Sequence, residues 1–537
     1  MAQNPPLRAA DILARRLYQA GCRHAFGMPG GEVLTLIDAL EKAGIGFHLA
    51  KHENAAGFMA EGVHHMDGAP AILVATVGPG AMNGVNVVAN ADQDRVPLIV
   101  LTGCVDDAEA QTYTHQVLDH RAVFAPITKA GFTLSAGAAA VIADKAIGIA
   151  TEGRPGPVHI DVPISVADAP ATDTGTRRVR AAPTVPADLT QARDWLAGAT
   201  RPVIIAGLDV LYDDSAAALT RFAETFGIPV ITTYKAKGVI PETHPLSLGG
   251  AGLSPLADGH LLPFVQAADL VICVGYDPIE MRPGWRDPWD AGRTRVIDIH
   301  ATPNHHYMHQ ASLSVIAHTG ATLDALGTGV TPGTTWPDGV VGTLKAALAR
   351  AFPQTDTWGP AAVIAEARAT LPPDTIATVD SGAHRIMLSQ MWTCPAPRHL
   401  LQSSGLCTMG CAVPLALGVK HAAPDRPVVS FSGDAGFLMV AGEMATAAEL
   451  GGNTIFVVFV DQSLALIELK QRQRQLPNVG VDFAGHDYAA IGRAFGGNGV
   501  TVTNRADLRA ALTDALTATT FTVIAALIPP HSYDGRI

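Results

Sequence analysis

Short apolar runs alternate with amphipathic stretches along most of this chain. In the first region, to about residue 170, residues 9–20 carry helical spacing, 24–27 read as a short strand, 28–31 as a turn and 32–43 as a helix. Residues 47–50 are extended and lead to His52 and Glu53, and 54–65 have helical spacing again. A buried strand is predicted at 71–76, a turn at Gly78-Pro79-Gly80 that opens a helix through Asp92, and a further strand at 97–102. Uniformly apolar strands separated by helices predict a parallel sheet covered on both faces.

The pattern breaks between 168 and 188, where Ala, Thr, Pro and Arg predict an extended linker. A second α/β region follows, with strands at 202–206, 229–232, 270–274 and 295–298 and a helix at 215–226. GTGVTPGTTWPDGVVG, from Gly327, reads as a second linker, and a third alternating region begins near Ala361. The expected fold class is therefore α/β, with three domains at 1–170, 189–328 and 355–537, each a mainly parallel sheet flanked by helices. The first and third regions both place glycine turns directly after buried strands, which suggests two related halves around a spacer.

Composition narrows the possibilities. A chain of 537 residues is too long for one core. With 48% hydrophobic and 16% charged residues it packs rather than remaining disordered. A net charge of −12 without a basic block argues against nucleic acid. No run reaches the roughly 18 apolar residues of a membrane helix. The start, MAQNPPLRAADILARRL, lacks an apolar signal core, so a cytoplasmic location is expected. Six scattered cysteines suit reduced thiols, and Cys407 with Cys411 is expected to pack a helix rather than hold a metal. No P-loop is present, and GPGAMNG lacks the spacing of a dinucleotide fingerprint, so nicotinamide binding is set aside.

The stretch 429–463, VSFSGDAGFLMVAGEMATAAELGGNTIFVVFVDQS, carries the chemistry. It predicts a strand, a sharp turn at Gly433-Asp434-Ala435-Gly436, a helix at 437–450 and a strand at 455–460 ending on Asp461. In a parallel sheet the carboxyl ends of neighbouring strands lie side by side in the ligand crevice. Two carboxylates there, beside the N–H groups of a helix start, suit Mg²⁺ and a phosphate. An ordinary strand–turn–helix–strand unit has the same local pattern, and a second motif is needed to decide.

GDAGF…VDQS resembles the cofactor and metal motif of thiamine diphosphate-dependent enzymes, written GDG, a spacer, then NN. Asp434 and Asp461 are 27 positions apart, a separation that suits that motif. Ala435 replaces its last glycine, and Asp461 replaces an asparagine, as in the catabolic acetolactate synthases. KHENAAGFMAEGVHH resembles the segment carrying the catalytic glutamate of the acetolactate synthase branch, here Glu53. FGMPGGEVLTLIDAL, with Gly30, resembles its first glycine turn. ATVGPGAMNGVNVVANADQDRVPLIVLTG, with Pro79 and Asn83, resembles the segment over the cofactor's pyrimidine ring. The resemblance covers nearly the whole chain.

The resemblance implies that Glu53 shares a proton with a pyrimidine nitrogen, which works best in a dry pocket. Gln116, next to His115 in YTHQVLDHRAVFAPITK, corresponds to a glutamine beside the reacting atoms. Ser381, Gly382, Ala383 and His384 fall where the family binds diphosphate, and Met409 where a methionine wedges between the cofactor's two rings. The resemblance further implies metal coordination by Asp434 and Asp461, completed by the backbone carbonyl of Ser463, with Leu464 adjoining. FAD is not expected in the central domain.

The implied activity is decarboxylation of a 2-oxo acid, pyruvate by default, followed by carboligation to a second carbonyl. Release of an aldehyde without ligation is the alternative, and a non-catalytic relative would be expected to have lost Glu53 or a metal ligand. Lys470, with Arg472 and Arg474, falls where the synthases contact a second substrate; a site for a more anionic substrate and a solvated basic helix face are both open. The family places each cofactor between two chains, so a homodimer or homotetramer is expected.

Overall fold

The computed structural model describes residues 7–175, 182–333, 335–354 and 357–537. Strands β1 (His24–Met28), β2 (Gly46–Leu49), β3 (Ala71–Ala75), β4 (Leu98–Cys104), β5 (Ala130–Thr133) and β6 (Val158–Pro163) form the first sheet, in the order β2-β1-β3-β4-β6-β5. The second contains β7 (Pro202–Ala206), β8 (Val230–Thr233), β9 (Ser247–Ala251), β10 (Leu270–Val274), β11 (Arg295–His300) and β12 (Leu313–Ile316), ordered β12-β11-β10-β7-β8-β9. The third contains β13 (Ile376–Val379), β14 (Leu400–Gln402), β15 (Val428–Gly433), β16 (Ile455–Val460), β17 (Asn498–Val502) and β18 (Thr522–Leu527), ordered β14-β13-β15-β16-β18-β17. All registered pairs are parallel. The first and third sheets share one winding order, and the expected three-layer α/β class is the observed one.

Each winding reverses near the middle of its sheet, between β1 and β3, between β7 and β10, and between β13 and β15. Such reversals leave a crevice at the strands' carboxyl ends. Backbones approach closely there: a Cβ on Gly30 would lie 2.1 Å from Thr76 Oγ1, and one on Gly207 would lie 2.3 Å from the Gly275 carbonyl.

Some expected elements are divided. The helix expected through Asp92 is two, Pro79–Asn83 and Val85–Asp94, joined at Gly84. The helix expected at 437–450 becomes Asp434–Met439 and Glu443–Leu450. The break serves tertiary structure, because it lets the buried Glu443 carboxylate accept the Lys51 amide at 3.0 Å, two residues before Glu53. The second expected linker ends early, since Val340–Ala351 is helical. The linker expected at 168–188 falls partly on 176–181, and the signal-free start partly on 1–6; both stretches lie outside the described residues. No helix among the described residues is long and apolar enough to cross a membrane.

The helices Glu53–Asp67 and Ala412–Ala422 join the first and third domains. They cross glycine on backbone: a Cβ on Gly62 would lie 2.4 Å from the Leu415 carbonyl oxygen, and one on Gly418 2.0 Å from that of Met59. The buried Ala55, Ala56, Phe58, Met59, Val413, Leu415 and Val419 fill that contact, the kind of dense packing that fixes a helix pair.

Candidate functional site

In the third domain, β13, β15 and β16 end together. Ser381, Gly382, Ala383 and His384 follow β13 and open the helix Ala383–Met391; Gly433 to Gly436 follow β15; Asp461, Ser463 and Leu464 follow β16. All of these, with Met409, line one cavity of about 300 Å³. Asp434 is buried. Its Oδ1 accepts the Ala435 amide at 2.8 Å, and its Oδ2 accepts the amides of Gln462 at 2.7 Å and Asp461 at 3.2 Å.

Burial raises the Asp434 carboxyl above its ordinary range, and burial together with the charge of Asp434 pushes Asp461 up to about 7. Two desolvated carboxylates side by side are an unfavourable arrangement that a divalent cation reverses. Ser381 Oγ and His384 Nε2 are buried without a hydrogen-bond partner among the described residues. Burial, then the charge of Arg385, pushes His384 down to about 3, so its ring is neutral until an anion comes beside it. Hard oxygen donors beside unpartnered polar atoms at a helix start fit a metal-bound phosphate group.

Asp380 organises this crevice, and its role was not legible in the sequence. Fully buried, it accepts the amides of Ser381 at 2.9 Å, Gly410 at 2.9 Å and Cys411 at 3.2 Å, which ties the Met409 loop to the end of β13. Burial pushes its carboxyl up to about 6. Arg282 and Leu253 of the central domain and Tyr533 near the C-terminus also line the cavity. Cys407 departs from its expected helix-packing role: it is an exposed loop residue at a left-handed φ of 57°, lines the cavity and takes a contact from Arg385 Nη2 at 3.2 Å.

Lys470 does not line the cavity. It is exposed in the last turn of the helix Ala465–Gln473, whose first turn alone reaches the pocket. Arg472 is held by Glu468 and Asp534 at 2.6 Å each. Lys470 and Arg474 are thus exposed while Arg472 is paired, and Lys470 stands one helical turn further along the axis than Ile467, the last residue of this helix to reach the pocket.

The first domain assembles a second set of residues. Glu53 opens its helix and is buried, and its Oε2 accepts Asn83 Nδ2 at 3.0 Å. A Cβ on Gly80, next to Pro79, would lie 3.1 Å from Glu53 Oε1. Thr76 Oγ1 donates to Glu32 at 2.6 Å, close against Gly30. The Gly78 turn has a φ of 64° and donates its amide to His120 Nε2 at 3.1 Å, while His120 Nδ1 meets Asp161 at 3.0 Å. Burial favours a neutral Asp161, yet hydrogen bonds from His120 and His159 hold it well below the carboxylate range. Gln116 and His115 sit on an exposed loop; Gln116 adopts a left-handed φ of 59° and packs over Gly78. Among the described residues, none of Gly30, Glu53, Pro79, Asn83, His115 or Gln116 lines the third-domain cavity.

Three family profiles match this chain: thiamine pyrophosphate enzyme, N-terminal TPP binding domain, over residues 7–123; central domain, over 189–326; and C-terminal TPP binding domain, over 380–526. Acetolactate synthase isozyme 1 large subunit of Escherichia coli (strain K12) is 31% identical over 528 residues, covering 94% of this chain and 91% of that protein. Acetolactate synthase of Bacillus subtilis (strain 168) is 28% identical, covering 92% and 88%. Catabolic acetolactate synthase of Raoultella terrigena is 27% identical, covering 94% and 92%.

Proposed function

Because this chain belongs to the thiamine pyrophosphate enzymes, in their acetolactate synthase-like branch, we propose that it decarboxylates a 2-oxo acid, pyruvate by default, and ligates the remaining acyl carbon to a second carbonyl. One observation carries this reading: the unpartnered Ser381 Oγ and His384 Nε2 share a cavity with the desolvated pair Asp434 and Asp461. Asp434, Asp461 and the Ser463 carbonyl would hold Mg²⁺, with Ser381 and His384 taking diphosphate oxygens and Gly382, Ala383, Gly433, Ala435, Gly436 and Leu464 shaping the cradle. When bound, thiamine diphosphate supplies the carbon nucleophile and the electron sink for CO₂ loss.

The chain's own residues do the rest. Glu53, oriented by Asn83, is placed to hold and return a proton in a site with little water. Gly30, closed against Thr76, and Pro79, next to Gly80, belong to the turns taken as the walls of the ring site beside it, and Met409 supplies an apolar wedge from the other domain. Gln116 and His115 stand on the loop that packs over Gly78, in the turn whose Gly80 closes on this glutamate. Arg282, whose guanidinium has no hydrogen-bonded partner among the described residues, supplies a cation for a substrate carboxylate.

The separation of the two sets within one chain supports a homodimer, or a tetramer built from it, in which Glu53 of one copy meets Asp434 of another. Exposed apolar side chains flank both sets, Leu34 and Leu49 near the first and Leu438 and Met439 near the second, as a covered surface requires. The domain limits 1–170, 189–328 and 355–537 belong to the same reading, supported by the three sheets. Six unbridged cysteines suit a reducing compartment such as the cytoplasm.

Thermal shifts with thiamine diphosphate and Mg²⁺, followed by a panel of 2-oxo acids with products identified by mass, test the proposal. Ligated hydroxy-oxo acids are expected. Aldehyde alone would replace ligation with simple decarboxylation, and no Mg²⁺-dependent stabilisation by the cofactor would overturn the reading.

A further inference from the structure

Three histidines far apart in sequence converge where the first domain meets the third. His24 lies on β1, His48 on β2 and His421 near the end of the helix Ala412–Ala422. His24 Nδ1 is 3.1 Å from His48 Nε2 and 3.2 Å from His421 Nε2, and the three nitrogens all lie within 4.8 Å of one another. None of the three belongs to the cavity or to the Glu53 set.

Hydrogen bonding alone serves this cluster poorly. A neutral imidazole nitrogen carries either one proton or one lone pair, so His24 Nδ1 satisfies only one of its two nitrogen neighbours well. A metal ion takes all three lone pairs. Tetrahedral bonds of roughly 2.0–2.1 Å to imidazole place ligand nitrogens about 3.3 Å apart, close to the spacing found here. The rings are also in the form that ligates: burial, then the charge of His421, pushes His24 down to about 4; burial, again followed by His421, pushes His48 to about 4; and burial lowers His421. Phe26 packs against His48 with centroids 4.9 Å apart and against His421 at 6.1 Å, which restricts both rings. All three histidines are half-buried, leaving an approach for an ion and a fourth position for water.

We propose that His24, His48 and His421 bind a divalent first-row transition ion of the Zn²⁺ class through His24 Nδ1, His48 Nε2 and His421 Nε2, fastening the first domain to the third. Imidazole donors select such an ion over Mg²⁺, which prefers oxygen, so this centre is chemically distinct from the Asp434 and Asp461 pair. With two ligands on neighbouring strands and the third on the helix that crosses the Glu53 helix, a bound ion would clamp the interdomain contact.

Full-length protein, stripped with chelator and returned to excess Mg²⁺, is titrated with Co²⁺. The expected result is one Co²⁺ per chain, with the visible d–d bands of a four-coordinate nitrogen and oxygen site, displacement by Zn²⁺ and a raised melting temperature. His48→Asn and His421→Gln should each weaken Co²⁺ binding by roughly tenfold or more and remove the melting-temperature rise, with circular dichroism confirming that each variant is folded. If a variant fails to fold, the other variant and the native titration decide. No visible band in the native protein, bands unchanged in the folded variants, or a thiolate charge-transfer band from the buried Cys273, Asp298 and His309 group would overturn the proposal.

Discussion

The carboxylate of Asp380 fills the space that a side chain on Gly436 would need: a Cβ there would lie 1.9 Å from Asp380 Oδ2. The end of β13 thus reaches across the crevice to the turn after β15, and the same carboxylate holds the Met409 loop through Gly410 and Cys411. Gly436→Ala should push Asp380 from those amides. We expect about 1–3 kcal/mol lost from stability, as for other overpacked sites, and a larger proportional loss of thiamine diphosphate affinity. Denaturant midpoints and cofactor titration measure the two effects.

Glu53→Gln keeps the shape of the side chain and its contact with Asn83 while removing a group that exchanges a proton. Cofactor and Mg²⁺ binding should be nearly unchanged, while kcat falls by about 10²–10⁴. Equal losses in binding and turnover would show that Glu53 only supports structure.

Arg282→Gln should raise KM for the 2-oxo acid by about tenfold or more, the scale of one lost charge-assisted hydrogen bond, with a smaller effect on kcat. Steady-state kinetics with a charged and an esterified substrate separate a carboxylate contact from a general loss of packing.

Gly62→Ala places a Cβ against the Leu415 carbonyl and must spread the two helices that join the first and third domains. A lowered melting temperature is expected, equivalent to about 1–3 kcal/mol, with loss of activity because Glu53 is carried on the displaced helix. Gly68→Ala, which closes the same helix with open space around it, serves as the comparison, its loss coming from a φ of 73° alone.

Asp209 in the central domain gives a pH signature. It is buried, accepts the Ala301 amide at 3.0 Å, and burial pushes its carboxyl up to about 6. Because the folded value lies above the unfolded one, its contribution is fully present below about pH 4 and is lost as pH rises through about 6. Asp209→Asn should remove that decline, so the variant gains on the native protein across this window by an amount on the order of 2–3 kcal/mol. Urea midpoints across that range would show it; a difference independent of pH would contradict it.

The sequence alone determined the α/β class, the shared plan of the outer domains and the family, because apolar periodicity and ordered motifs are local properties of the chain. It also brought forward Asp434 and Asp461, since strand ends followed by short turns identify where a parallel sheet presents side chains, and Glu53 through the resemblance of its segment to the family's glutamate motif. Tertiary structure decided the rest. Asp380 and Glu32 act through partners distant in sequence, Arg282 reaches the third-domain cavity from the central domain, and nothing near any of them in sequence signals this. Lys470 looked equivalent to its neighbours until the helix turned it into solvent. The helix expected after Asp434 broke because Glu443 is drawn to Lys51, an interaction across 392 positions. His24, His48 and His421 are unremarkable singly; only the crossing of two helices and the pairing of β1 with β2 bring their nitrogens together. Contacts of that range depend on how the sheets wind and dock, and that information resides in packing rather than in any one stretch of chain.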